Sequence, residues 1–293
     1  MKIWDKIVGA AKTDLYCSFC SSPRAAVGYL VAGPEVYICD RCIALCVAVV
    51  DGAKLEKGET QLWTIYRTLP ALAEGLQPDV RDANADRLLD IAEAIVRSDA
   101  EMLRWAATLA RYLGRSQRSR ALLLRIDAGA RDREAALDLA ASCFDLGQFD
   151  EAREAIESLP AGPEVDAARL LIRLGRRVIE GGATGVDMGP IERVSAIGEN
   201  AGVRFAQPAA VVDAALELRR TRVEKARDLL RPFDDGRMLS PVGALVLGDA
   251  FKQRDQREQA SDVWRRALPQ APAASWIETA LQVRLGQTPY GER

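Results

Sequence analysis

The sequence predicts a mainly α protein with two modules: a small cysteine-stapled β-hairpin plus helix, then an all-α array of antiparallel helix hairpins. Three observations carry that prediction. Five of the six cysteines fall between residues 17 and 46. The β-rich runs, VGYLV (27–31) and VYI (36–38), lie in the same stretch. Beyond residue 60 the chain is dominated by Ala, Leu and Arg and reads as helical segments with short breaks. The expected boundaries are residues 1–52 for the cysteine module, 53–60 for a polar connector and 61–293 for the helical domain.

Composition narrows the function classes. The chain is 48 % hydrophobic and 28 % charged with a net charge of −2, an ordinary globular balance that gives no broad reason to bind nucleic acid. There is no histidine, which excludes a Ser-His-Asp triad, a Cys-His pair and an HExxH metal site. No GxxxxGK[ST] loop occurs, so no bound nucleotide is expected. The apolar run IALCVAVV (43–50) is too short to span a bilayer, and MKIWDKIVGAAKTD lacks the apolar core of a signal peptide. The expected compartment is the cytoplasm, where thiols stay reduced.

In the cysteine module, Cys17-x2-Cys20 is followed after eighteen residues by Cys39-x2-Cys42. Each CxxC pair can grip one ion from a tight knuckle, and two knuckles complete a tetrahedron around Zn²⁺. A lone redox CxxC within a βαβ pattern fits less well, because two pairs are present. One structural Zn²⁺ held by Cys17, Cys20, Cys39 and Cys42 is therefore expected. The strands 27–31 and 36–38 make a hairpin through Ala32-Gly33-Pro34-Glu35. Asp40 is placed to N-cap the helix that follows, with Ile43, Cys46, Val47 and Val50 on one apolar face. Tyr29, Val31, Val36, Ile38 and that face exceed what so small a unit can bury. A partner surface, most simply a second copy, is the natural sink.

CSFC at 17–20, AGPEVYICDRC at 32–42 and IALC ending at Cys46 together resemble the N-terminal zinc-binding domain of the ClpX protease-chaperone family. The resemblance covers about residues 14–50. It implies a four-cysteine zinc module that dimerises and docks substrates or adaptor peptides on an apolar surface, with Cys17, Cys20, Cys39 and Cys42 at the ligand positions. Cys46 matches a further cysteine common in that family and reads as a helix packing residue. The family's ATPase domain does not follow, so only the recognition role is carried over.

Within the helical domain a quartet of positions recurs: Ala107, Gly114, Ser119 and Leu123; Ala140, Gly147, Ala152 and Ile156; Ala214, Thr221, Ala226 and Leu230; Gly248, Asp255, Ala260 and Trp264. Their starts are spaced by 33, 74 and 34, the middle gap holding one degenerate unit that includes the loop GGATGVDMGP (181–190). A period near 34 resembles the tetratricopeptide repeat family, in which small residues let paired helices approach closely. Prolines 160, 232, 269 and 272 are expected at unit ends. Arg111, Arg115, Arg118, Arg120 and Arg125 read as a solvated face, and Trp63, Trp105, Trp264 and Trp276 as packing residues.

Both modules favour binding over chemistry. The expected function is a non-catalytic protein–protein adaptor or regulator, with the cysteine module docking or dimerising and the repeats holding a partner protein or peptide. The ClpX resemblance extends that expectation to protease or chaperone work through unfolded-protein binding. The alternative is a zinc-containing, nucleic-acid-associated transcriptional regulator. It is disfavoured because Lys2, Lys6, Lys12, Arg24 and Arg41 are nearly balanced by Asp5, Asp14, Glu35 and Asp40.

Overall fold

The computed structural model describes residues 15–33, 36–43, 46, 85–86, 89–90, 92–93, 99–180, 194–235 and 239–287. The chain divides into two compact units, Met1–Asp86 and Arg87–Arg293. The connector 53–60, the loop 181–190, Trp63, Val47 and Val50 lie outside the described residues.

The first unit contains a two-stranded antiparallel sheet, β1 (Leu30–Gly33) and β2 (Val36–Cys39), paired Leu30 with Cys39 through Gly33 with Val36. The first strand begins three residues later than its β-rich run suggests. Val27 instead bends in to pack on Cys17, Cys20 and Cys39. β2 runs directly into a helical stretch that opens at Asp40. Asp40 is thus the first helical residue and not the cap. The capping acceptor is the Cys39 sulfur, which takes the Cys42 amide at 3.4 Å.

The second unit is helical: α1 (Ala100–Tyr112), α2 (Ser116–Leu124), α3 (Arg133–Asp145), α4 (Phe149–Ala155), α5 (Pro163–Gly175), α6 (Val194–Asn200), α7 (Ala206–Arg219), α8 (Val223–Asp235), α9 (Pro241–Gln253), α10 (Arg257–Ala267) and α11 (Trp276–Arg284). A π-helical turn, Arg176–Glu180, extends α5. Four adjacent pairs, α1/α2, α3/α4, α7/α8 and α9/α10, pack as hairpins, and each carries one quartet.

All four turns have one backbone conformation. Gly114, Gly147, Thr221 and Asp255 are left-handed, with φ of 72°, 73°, 60° and 58°. Each donates its amide to the carbonyl three residues back, and the next residue donates five back, as Arg115 does to Ala110 at 2.8 Å. This is the Schellman ending, and it satisfies two carbonyls of the finishing helix. The residue after the turn then accepts the first bond of the next helix, from Ser119, Ala152, Ala226 or Ala260. Those four residues are buried, as are Leu123, Ile156, Leu230 and Trp264 against them. Thr221→Gly relieves the strain of a β-branched residue at positive φ. It is expected to stabilise this unit by up to about 1 kcal/mol, read as a higher urea midpoint.

The first helices of three hairpins start from side-chain caps at Asp99, Asp132 and Ser240, as α11 does at Ser275. Gly248 replaces the alanine of the other quartets for a visible reason. A Cβ there would lie 2.0 Å from Trp264 Nε1, so the glycine compensates for the larger partner. Proline placement is corrected at one point: Pro232 lies inside α8, while Pro269 and Pro272 fall between α10 and α11.

The array also curls back on itself. α3 packs against α7 and α9, more than sixty residues on. Trp276 at the start of α11 donates its indole N–H to Gly147 O at 2.8 Å and stacks on Phe149 at 6.2 Å. Gln117 Nε2 reaches Gln270 O at 2.9 Å. α9 is consequently buried at every position from Pro241 to Gly248. In an open solenoid each unit touches only its neighbours; these contacts close the succession.

Candidate metal centre

The first knuckle is folded by its own backbone. The Ser21 amide donates to Cys17 O at 2.7 Å, the Cys17 amide to Ser22 O at 2.9 Å, and Ser21 takes a left-handed φ of 57°. The knuckle then docks on the outer edge of β2. Ser18 N donates to Tyr37 O at 2.6 Å, and Tyr37 N donates to Ser18 Oγ at 2.9 Å. The Cys39 amide donates to Cys17 Sγ at 3.3 Å. Hairpin pairing and knuckle docking together deliver all four cysteines to one place.

Their four sulfurs lie within 4.8 Å of one another, with Cys17, Cys20 and Cys39 buried and Cys42 half-buried. Cys20 Sγ and Cys39 Sγ are 3.6 Å apart. Thiolates at the Zn–S distance of about 2.3 Å in a tetrahedron stand about 3.8 Å apart, so the cluster fits Zn²⁺. The hydrogen bond from Cys42 holds the Cys20 thiol down, to about 4, against the opposing effect of burial. The same bond, with burial behind it, pushes Cys42 far up. Burial raises Cys39 to about 11. A divalent ion replaces these shared protons, and amide N–H groups aimed at Cys17 and Cys39 offset the thiolate charge.

The sequence reading missed Ser18 and Ser22. Ser18 clamps the knuckle to β2, and Ser22, buried, lies 3.2 Å from Cys20 Sγ. Small hydroxyl residues within and just after the first CxxC were the available signal. Ile43 and Cys46 are half-buried on the helix after the second knuckle. The hairpin face opposite the cysteines carries Val31, Val36 and Ile38. Tyr29, on the same side just before β1, is 74 % exposed; Val31 and Val36 are 50 % and 48 % exposed.

In the helical unit the solvated-face expectation fails for Arg111 and Arg118, while Arg125 is exposed as expected. Arg111 Nε pairs with the buried Asp145 at 2.6 Å, and Arg118 with Asp90 and Glu93 at 2.7 Å. Burial still holds the Asp145 carboxyl above its ordinary range despite Arg111. A recess of about 200 Å³ is lined by Val178, Ile179, Leu218, Leu245, Arg219 and Asp249 among others.

The fold and site define a class: a four-cysteine structural zinc module joined to an all-helical domain. Residues 15–52 match the ClpX C4-type zinc finger family. No solved structure matches the chain. The module takes one structural Zn²⁺, since four cysteine donors leave no coordination position open for catalysis. Among the described residues no helix is long and apolar enough to cross a membrane.

Proposed function

We propose that the chain is a non-catalytic protein–protein adaptor of the cytoplasm. Its zinc module self-associates and docks a partner, and its helical unit acts as a tetratricopeptide-like scaffold for a second protein or peptide, in the service of a protease or chaperone. In this reading Cys17, Cys20, Cys39 and Cys42 each contribute one thiolate to the ion, which fixes the hairpin so that its outer face can recognise. The observation that carries the proposal is that outer face: Tyr29, Val31 and Val36 stand exposed on a metal-rigidified sheet. The repeated hairpin turns support the scaffold reading, and the 200 Å³ recess is the candidate seat for a partner side chain.

The test is crosslinking capture from the native host with the full chain and with Tyr29→Ser/Val36→Ser. The double variant is expected to keep one zinc per chain and to lose its specific partners. An unchanged capture profile would show that the hairpin face is not the docking surface.

A further inference from the structure

The two edges of the β1–β2 hairpin are used differently, and hydrogen-bond alternation shows how. Asp40 N donates to Tyr29 O at 3.1 Å, so the 29/40 position is a hydrogen-bonded pair. Pairs in an antiparallel ladder alternate. Val31 with Ile38 and Gly33 with Val36 are therefore bonded, whereas Leu30, Ala32, Tyr37 and Cys39 turn their backbone groups outward. On the β2 side those groups are taken, by Ser18 for Tyr37 and by Cys17 Sγ for Cys39. On the β1 side the N–H and C=O of Leu30 and Ala32 have no partner among the described residues.

Open edges are normally blunted by a charge, a proline or a bulge. The strand Leu30-Val31-Ala32-Gly33 carries none of these. It is also self-complementary. With Leu30 opposite Ala32 of a second copy, and Ala32 opposite that copy's Leu30, each outward N–H meets an outward C=O and four hydrogen bonds form about a two-fold axis. Val31 then lies on that axis against its own symmetry mate, on the exposed apolar side. Tyr29, Val31, Val36 and Ile38 of both copies become one continuous face.

We propose that β1 pairs antiparallel with β1 of a second copy, centred on Val31, to make a four-stranded sheet. This rests on the self-association in the functional reading above and names its contact. An isologous pairing of this kind closes at two copies, and the uncharged strand brings no like-charge repulsion to the axis.

The experiment uses the full zinc-loaded chain. Sedimentation equilibrium compares wild type with Ala32→Pro and Val31→Lys, and amide hydrogen exchange is read at Leu30 and Ala32. Proline at Ala32 removes an outward N–H without touching a hairpin bond. The expected result is a wild-type dimer weakened at least about 100-fold by either variant, with zinc content unchanged. Leu30 and Ala32 amides should be protected in the dimer and should lose protection on dilution. A variant that keeps its zinc and dimerises like wild type overturns the edge pairing while leaving self-association intact. If Ala32→Pro loses zinc, the wild-type exchange decides: a dimer with unprotected Leu30 and Ala32 overturns the proposal. A wild-type monomer at high concentration overturns self-association itself. Protection that arises only on adding an apolar peptide assigns the edge to a partner strand and overturns self-pairing.

Discussion

Cys17→Ser is expected to reduce bound zinc from one equivalent per chain to background and to unfold the hairpin unit, leaving the helical signal of residues 99–287 nearly unchanged. The size of the effect follows from how little else holds the unit together. Its described core is three cysteines with Val27, Leu30 and Cys42 packed on them. Structural zinc contributes about 10–16 kcal/mol to folding in modules of this size. Cys17 has a second role that serine fills poorly, because its sulfur accepts the Cys39 amide and joins the first knuckle to β2. Metal content by mass spectrometry and circular dichroism check the two halves of the prediction. A variant that still binds one zinc tightly would remove Cys17 from the ligand set. Acid should mimic the mutation. Cys39 and Cys42 hold their protons well above neutrality without metal, so zinc must displace both. Apparent affinity is then expected to fall at least about 100-fold per pH unit as pH drops.

Trp276→Ala is expected to destabilise the helical unit by roughly 3 kcal/mol, lowering its melting temperature by roughly 6–12 °C. The indole bridges residues 129 apart in sequence, donating to Gly147 O and stacking on Phe149, whose ring meets Phe144 edge-on at 5.1 Å. Its loss opens the adjoining cavity of about 320 Å³ further and leaves the Gly147 carbonyl without its donor. Trp276→Phe keeps the stack and should cost about 1 kcal/mol. The measurement separates two kinds of molecule. If α11 were only the last unit of an open array, the alanine variant would fray that end and leave α1 to α4 untouched. With closure, hydrogen exchange should accelerate around Gly147 as well.

The zinc site was legible because CxxC spacing is a local statement about reach, and two such knuckles leave few alternatives. The quartets were legible for a related reason: the turn and the two helix positions it aligns are fixed within sixteen residues. Thr221 and Asp255 look like exceptions in the sequence, yet their backbones take the glycine conformation, since the hydrogen bonds of the turn and the packing of Ala226 and Ala260 impose it. Other features were not legible. Asp40 is a good capping residue, but strand pairing brings Cys39 to that position first. Arg111 and Arg118 look solvated until Asp145, and Asp90 with Glu93, arrive from other segments.

Residue order alone thus specifies the metal, the hairpin, the helical class and the repeated turn, all of them set by interactions over short stretches of chain. Long-range packing specifies the rest: that α3 meets α9, that Trp276 returns to Gly147, and that Gln117 reaches Gln270. These depend on where distant segments arrive after the local elements have formed. No spacing rule carries that information, because the free energy that selects it comes from complementary surfaces far apart in the chain.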